Sequence, residues 1–197
     1  MMDLKNSETA KNLMRAFAGE SQARNRYTFA AGKAKQEGYP VIQEVFLFTA
    51  NQEKEHAEVF FKHLKELNGQ SIVIDGGYPV ELYEKSLDLL KAARHNEYQE
   101  FENVYQNFGQ VAKDEGFEGI ASSFFRIAEI EKTHGDRFQM FADYLERNQL
   151  FVSDLETGWM CLNCGFVYYG TKVPESCPVC HHEQGYFIRL ELAPYVR

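Results

Sequence analysis

Long apolar runs are missing from this 197-residue chain. The run Val45–Phe48 is far shorter than the roughly 20 residues a membrane helix needs, so no membrane role is expected. Basic charge is also scarce: 21 Lys and Arg oppose 29 Asp and Glu, a formal net charge of −8. No basic face for nucleic acid is therefore expected. The N-terminal segment lacks a secretory apolar core, because Lys11, Arg15 and Glu20 interrupt it, and the expected location is the cytoplasm. No Gly-x-Gly-x-x-Gly fingerprint occurs, so the chain is not expected to bind a nicotinamide dinucleotide itself. Cysteine is absent from everything before Cys161. From Gly158 onward the charges balance, Lys172, Arg189 and Arg197 against Glu175, Glu183 and Glu191, so the acidic excess belongs to the part that precedes Gly158.

What that part holds instead is carboxylate beside imidazole. Glu53-Lys-Glu-His56 and Glu131-Lys-Thr-His134 are both Glu-x-x-His pairs, preceded at nearly equal distances by Glu20 and Glu97. On a helix, residues three apart share a face, so each pair offers one oxygen and one nitrogen to a common cation. Two such helices, with two more carrying one glutamate each, make the ligand set of a dinuclear site inside a bundle.

One Glu-x-x-His alone is commonly a surface feature, but periodicity argues against that here. Ile120, Phe124, Ile127, Glu131, His134, Phe138, Phe141 and Leu145 form one seam in alternating steps of four and three. Ile42, Val45 or Phe46, Thr49, Glu53, His56, Phe60, Leu64 and Leu67 form another. Glu20 sits in the stripe Leu13, Phe17, Tyr27, Ala31, and Glu97 in Leu87, Leu90, Val104, Phe108, Val111. Burying even one unpaired carboxylate costs several kcal/mol, and four at one level of four seams require a compensating positive charge. A metal supplies it.

An internal repeat points the same way. Ala34-Lys-Gln-Glu-Gly-Tyr matches Ala112-Lys-Asp-Glu-Gly-Phe, and the shift that carries Ala34 onto Ala112 also carries Glu53 onto Glu131, His56 onto His134 and Phe60 onto Phe138. Glu20 misses Glu97 by one position, which implies a small length change between two copies of a helical hairpin.

Punctuation by Gly, Pro and Asn predicts four helices over 7–37, 40–67, 80–115 and 117–148, with a longer crossover at 70–79. The bundle would occupy residues 1–149, a linker 150–157, and a second module 158–197. That module carries Cys161-Leu-Asn-Cys164 and Cys177-Pro-Val-Cys180, a C-x2-C-x12-C-x2-C pattern able to form a tetrahedral four-thiolate site for zinc or one iron. Disulfides fit poorly with metal-like spacing and no secretion signal. His181 and His182 read as surface residues. Cys164-Gly165-Phe-Val-Tyr168 resembles a rubredoxin knuckle and favours iron, with zinc as the substitute.

The two parts together, with Ala16-Phe-Ala-Gly-Glu20-Ser-Gln-Ala-Arg-Asn-Arg-Tyr27, resemble the rubrerythrins over essentially the whole chain. The resemblance implies a mainly α fold: a ferritin-like four-helix bundle with a long crossover, plus a small C-terminal β-rich rubredoxin-like domain. It implies a non-haem di-iron site on Glu20, Glu53, His56, Glu97, Glu100, Glu131 and His134, and Fe(Cys)4 on Cys161, Cys164, Cys177 and Cys180. Glu100, read alone, is equally a solvated glutamate beside Glu102; in the family the matching carboxylate binds one iron when oxidised and His56 replaces it on reduction. Tyr27 and Tyr105, ordinary core aromatics by themselves, would hydrogen-bond ligand carboxylates. The implied activity is reduction of hydrogen peroxide to water, an oxidative-stress defence. Electrons would come from NAD(P)H through a rubredoxin or a linked reductase and then the Fe(Cys)4 centre. A homodimer would place the rubredoxin-like module of one subunit near the di-iron site of the other. Two other readings stand beside it: a ferritin-like ferroxidase or iron-binding protein, and an electron-transfer module with a structural zinc ribbon.

Overall fold

The computed structural model of the chain describes residues 3–194. The outermost residues of the two expected domains, 1–2 and 195–197, lie outside this range.

Helix α1 spans Glu8–Gln36 and α2 spans Pro40–His63. Ser7 opens α1 by accepting from the Ala10 N–H, satisfying one of the free donors of the first turn. Gly38, at φ 80°, ends it in the left-handed region where glycine is unstrained, and Pro40 then starts α2. Helix α3 spans Ser86–Gln99, a π-helical turn follows over Glu100–Val104, and α4 continues over Tyr105–Asp114. Helix α5 spans Glu118–Glu146. The pair α1–α2 packs against the continuous rod α3–π–α4 and α5. Among the described residues, no helix is long and apolar enough to cross a membrane.

The third helix begins later than the sequence predicts, at Ser86 rather than Val80. The segment between stays extended because its side chains are taken by α1. Arg15 pairs with Asp75 at 2.7 Å, Arg26 with Glu81 at 2.7 Å and Lys33 with Glu84 at 2.5 Å. Val80 and Leu82, expected to open a helix, are instead 86% exposed.

Beyond α5 a three-stranded antiparallel sheet is ordered β2-β1-β3, with β1 Val152–Cys161, β2 Val167–Lys172 and β3 Phe187–Arg189. Most of the segment expected as linker, 150–157, is therefore strand; its half-exposed, polar alternation conceals it in sequence. Trp159, Cys161, Val173, Cys177 and Phe187 make this module's own small core. Arg189 joins it to the bundle, its guanidinium stacked on Trp159 and on Tyr144 of α5 while donating to the carbonyls of Gln149 and Val152.

A second junction leaves no room for a side chain. A Cβ on Gly185 would overlap the Gly38 carbonyl and the Pro40 ring, both at the α1–α2 turn. Gly185→Ala should therefore weaken module docking by about 1–3 kcal/mol, the usual cost of overpacking. Limited proteolysis should show faster cleavage around 149–157, with the helical thermal transition unchanged. Equal cleavage rates in parent and variant would show that the junction yields.

Candidate metal centres

Every glutamate and histidine of the two Glu-x-x-His pairs is buried, and so are Glu20 and Glu97. They form one polar layer between two apolar clusters. One holds Phe46, Phe138 and Leu90, the other Phe60, Phe124 and Leu13. The seams of α1, α2 and α5 put them there, as the periodicity predicts.

Their contacts resolve into two half-sites sharing two carboxylates. The His56 Nδ1 lies 2.8 Å from Glu131 Oε1, 3.2 Å from Glu53 Oε2 and 3.9 Å from Glu20 Oε1. The His134 Nδ1 lies 2.8 Å from Glu131 Oε2, 3.0 Å from Glu53 Oε1 and 3.6 Å from Glu97 Oε2. Glu53 and Glu131 thus present one oxygen to each half, as bridging carboxylates do. These approaches are close but misaligned for hydrogen bonding. Both oxygens of Glu53 and Glu131, one each of Glu20 and Glu97, and the Nδ1 of both histidines have no hydrogen-bond partner despite burial. Native proteins rarely leave buried polar atoms in that state. Hard carboxylate oxygens and imidazole nitrogens aimed at shared points are the donor set of first-row divalent metals.

Electrostatics give the same answer. Burial, reinforced by neighbouring carboxylates, holds Glu20 and Glu131 well above the usual carboxylate range and raises Glu97. Burial acts to raise Glu53 too, but His134 and His56 outweigh it and bring it to about 2. For His134, burial acts to lower the pKa, and Glu131, Glu53 and Glu97 instead lift it to about 11. The layer accumulates protons wherever it can, as expected of a carboxylate cage whose cation must replace them.

Two tyrosines fix the outer carboxylates crosswise. Tyr27 on α1 donates to Glu97 Oε1 on α3, and Tyr105 on α4 donates to Glu20 Oε1 on α1 at 2.5 Å. Each half of the repeat orients a carboxylate of the other half, a support that sets ligand direction.

Glu100 completes one half only. It lies with Glu20 and Glu131 in a cluster whose donor atoms are within 4.8 Å of one another, on the His56 side. The residue is half-buried, and desolvation of its carboxyl, followed by Glu97 and Glu53, holds it well above the usual range. Glu102 is exposed. The π turn explains how Glu100 arrives there. Tyr27 and Tyr105 keep the register of the repeat, whereas Glu97 falls one position short of where Glu20 would be carried. The extra residue therefore lies between Glu97 and Tyr105, where the π turn begins at Glu100. One residue inserted into an α-helix is absorbed as a π turn. The same turn corrects the expected stripe. Tyr105, Gly109 and Ala112 are fully buried, while Val104, Phe108 and Val111 are only partly so, one position out of phase. Glu100 and Tyr105 also line a cavity of about 430 Å³ between α1, the crossover at Gly76–Pro79 and the α3–π–α4 rod.

In the second module all four cysteines are free thiols with sulfurs within 4.8 Å of one another. Cys161 and Cys180 Sγ are 3.7 Å apart and Cys164 and Cys177 Sγ 3.6 Å, far beyond a disulfide bond. A tetrahedron with metal–sulfur bonds of about 2.3 Å has edges of about 3.8 Å, so the set fits one ion. Gly165, at φ 77°, turns the first knuckle, and His181 takes the same left-handed conformation at 59° after the second. A backbone hydrogen bond from His182 lowers Cys180 to about 5, while burial raises Cys161 to about 12. His181 is exposed and His182 packs on Tyr186, away from a ligand role.

Comparison with known proteins agrees with both centres. The rubrerythrin family model matches residues 11–142, and that of the rubrerythrin rubredoxin-like domain matches residues 159–188. Rubrerythrin of Clostridium perfringens is 45% identical over 188 residues, 95% of this chain and 96% of that protein. Rubrerythrin of Nitratidesulfovibrio vulgaris is 41% identical over 187 residues, 95% and 96% of the two chains. A solved structure of nigerythrin in a mixed-valence state superposes with a TM-score of 0.63 at 25% identity, covering 92% of this chain and 86% of that one. The Glu/His layer and the four-cysteine set accordingly fit iron, and the chain belongs to the rubrerythrin family.

Proposed function

We propose that this protein reduces hydrogen peroxide to water at a di-iron site held by Glu20, Glu53, His56, Glu97, Glu100, Glu131 and His134. Glu100 carries the reading. A symmetric duplicated hairpin supplies six ligands; the π turn adds a seventh, on one half, in the wall of a cavity large enough for a small oxidant. Bound as a ferrous pair, the irons supply the two electrons that, with two protons, convert one peroxide to two waters. The protein's part is orientation. Glu53 and Glu131 hold the two halves at fixed separation, Tyr27 and Tyr105 keep Glu97 and Glu20 pointed inward, and the two apolar clusters keep bulk water from the layer. His56, slightly less enclosed than His134, shares Glu20 and Glu131 as neighbours with Glu100, in the half-site where ligand exchange would occur.

Electrons would return one at a time through Fe(Cys)4 in the module 158–197, supplied by NAD(P)H through a partner redox protein. Within one chain that module docks at the α1–α2 turn. His56 lies sixteen residues beyond Pro40 on α2, about 24 Å at 1.5 Å per residue. A second copy, arranged head to tail in a homodimer, would bring a cysteine site closer. Exposed Phe29, Phe48, Phe61, Val80 and Leu82 offer apolar surface for such an assembly.

The test is Glu100→Ala beside Glu102→Ala. The first should keep the fold and two ferrous ions but lose peroxide turnover by about ten- to a hundredfold, the range seen when supporting metal-site groups are removed. The second should stay within about 0.5 kcal/mol in stability and turn over normally. Iron content and peroxide consumption measured on both decide it. Equal, near-normal turnover would return Glu100 to the solvent-facing reading and remove the preference for peroxidase over ferroxidase.

A further inference from the structure

The repeat that makes the two half-sites alike also exposes where they differ. One difference is Glu100, an extra anion on the His56 half. The other lies opposite, on the His134 half, and is a cation. Arg137 follows His134 by one helical turn, and its Nη1 donates to Thr49 Oγ1 at 2.9 Å and Gln52 Oε1 at 3.0 Å on α2, the turn that leads into Glu53. Its guanidinium is covered by the Phe48 ring at 5.0 Å. Among the described residues no carboxylate forms an ion pair with it. Burial lowers its pKa, opposed by Glu53, Glu97 and Glu131; arginine stays charged throughout. All three of those anions contact His134, and Glu97 among them belongs to that half alone. At the positions that the repeat relates to Arg137, Thr49 and Gln52 stand Val59, Ile127 and Ile130. The matching positions of the other half therefore hold neither this arginine nor its two acceptors, and Arg26, the cation that acts on Glu100, is ion-paired with Glu81 at 2.7 Å.

We infer that Arg137 is a positioning residue for charge: an unpaired guanidinium held by Thr49 and Gln52 beside the His134 half-site, which makes the two irons unequal. The inference rests on the ligand set proposed above. A fixed positive charge favours the less positive metal nearby, and an added carboxylate favours the more positive one. Arg137 therefore biases the His134 half toward the ferrous state, and Glu100 biases the His56 half toward the ferric state. The first electron delivered to an oxidised pair would go to the His134 half and the second to the His56 half, whose Glu100 lines the cavity. The asymmetry orders the two one-electron deliveries of a single-electron donor.

The experiment is an anaerobic potentiometric titration of the iron-loaded full chain, followed by electron paramagnetic resonance, on the parent, Arg137→Gln, Arg137→Lys and Val59→Arg. Arg137→Gln should move the first reduction step to more negative potential by at least a tenfold change in its equilibrium constant, about 59 mV for one electron. The second step should move less, and Arg137→Lys should restore most of the shift. Val59→Arg, at a half-exposed position, places the cation beside the other half and should narrow the gap between the steps. Unchanged potentials in Arg137→Gln with both irons bound would overturn the inference. So would equal shifts of both steps, or an Arg137→Lys variant no different from Arg137→Gln. If Arg137→Gln fails to hold two irons, the lysine and Val59→Arg variants decide, and a constant gap in both overturns it. No peroxide is used, so a protein without peroxidase activity would sink the proposed function and leave this test intact.

Discussion

Cys161→Ser is expected to cut steady-state peroxide turnover by about ten- to a hundredfold, the range for lost metal-site groups, while leaving one round of peroxide reduction in chemically pre-reduced protein. The thiol lies at the centre of the small module's core, so its loss removes one of four sulfurs and disturbs Trp159 and Phe187. The Glu/His layer sits in a different core and shares no residue with that cluster. Cys164→Ser separates relay from folding, because Cys164 is exposed and its replacement leaves the module's packing intact. Both variants should lose the thiolate-to-iron charge-transfer band, and both should consume one equivalent of peroxide in a single turnover. Loss of that single turnover in folded Cys164→Ser would mean that the four-cysteine centre acts on the bundle directly, not as a relay.

Removing the iron should make the bundle's stability fall as pH rises, the reverse of the common acid sensitivity. Glu20, Glu100 and Glu131 have folded-state pKa values well above 4.5, and Glu97 is raised as well. Above about pH 4.5 the folded apo-protein therefore retains protons that the unfolded chain releases, and unfolding becomes easier with each unit of pH. His134, raised to about 11, acts in the same direction above its unfolded value of 6.5. Within the layer only Glu53, lowered to about 2, contributes stability that is lost toward acid. Each retained proton is worth about 1.4 kcal/mol per pH unit. Thermal unfolding of chelated and ferrous-loaded protein between pH 5 and 8 should diverge steadily, the chelated form falling. Parallel curves would show that the carboxylates relax apart when the metal leaves.

Much of this was readable in advance because burial of charge is so improbable. Four carboxylates and two histidines lying on apolar seams left few physical options, and the structure places all six in one layer. Cysteine spacing did the same for the second site. The π turn was written in two spacings, seven positions from Glu20 to Tyr27 and eight from Glu97 to Tyr105. The stripe Val104, Phe108, Val111 nonetheless reads as continuous α-helix, because it is apolar and runs directly alongside the true seam, one position out of phase. The crossover hid for another reason: its extended path depends on Arg15, Arg26 and Lys33, partners distant in sequence that local propensity does not register. Arg137 stands one turn past His134, but a lone arginine on a helix draws no notice until its acceptors, Thr49 and Gln52, are seen on the facing helix.

The π turn has a genetic side. If the two hairpins descend from one duplicated segment, the change that separates them near the metal layer is one added codon, not a rebuilt site. Everything downstream of it, Tyr105 included, returns to register within a turn, so the insertion alters one carboxylate of the layer and leaves the rest of the coding sequence free to stay matched. Deleting the Glu100 codon should therefore yield an uninterrupted α-helix that keeps the six duplicated Glu and His side chains and lacks the proposed seventh.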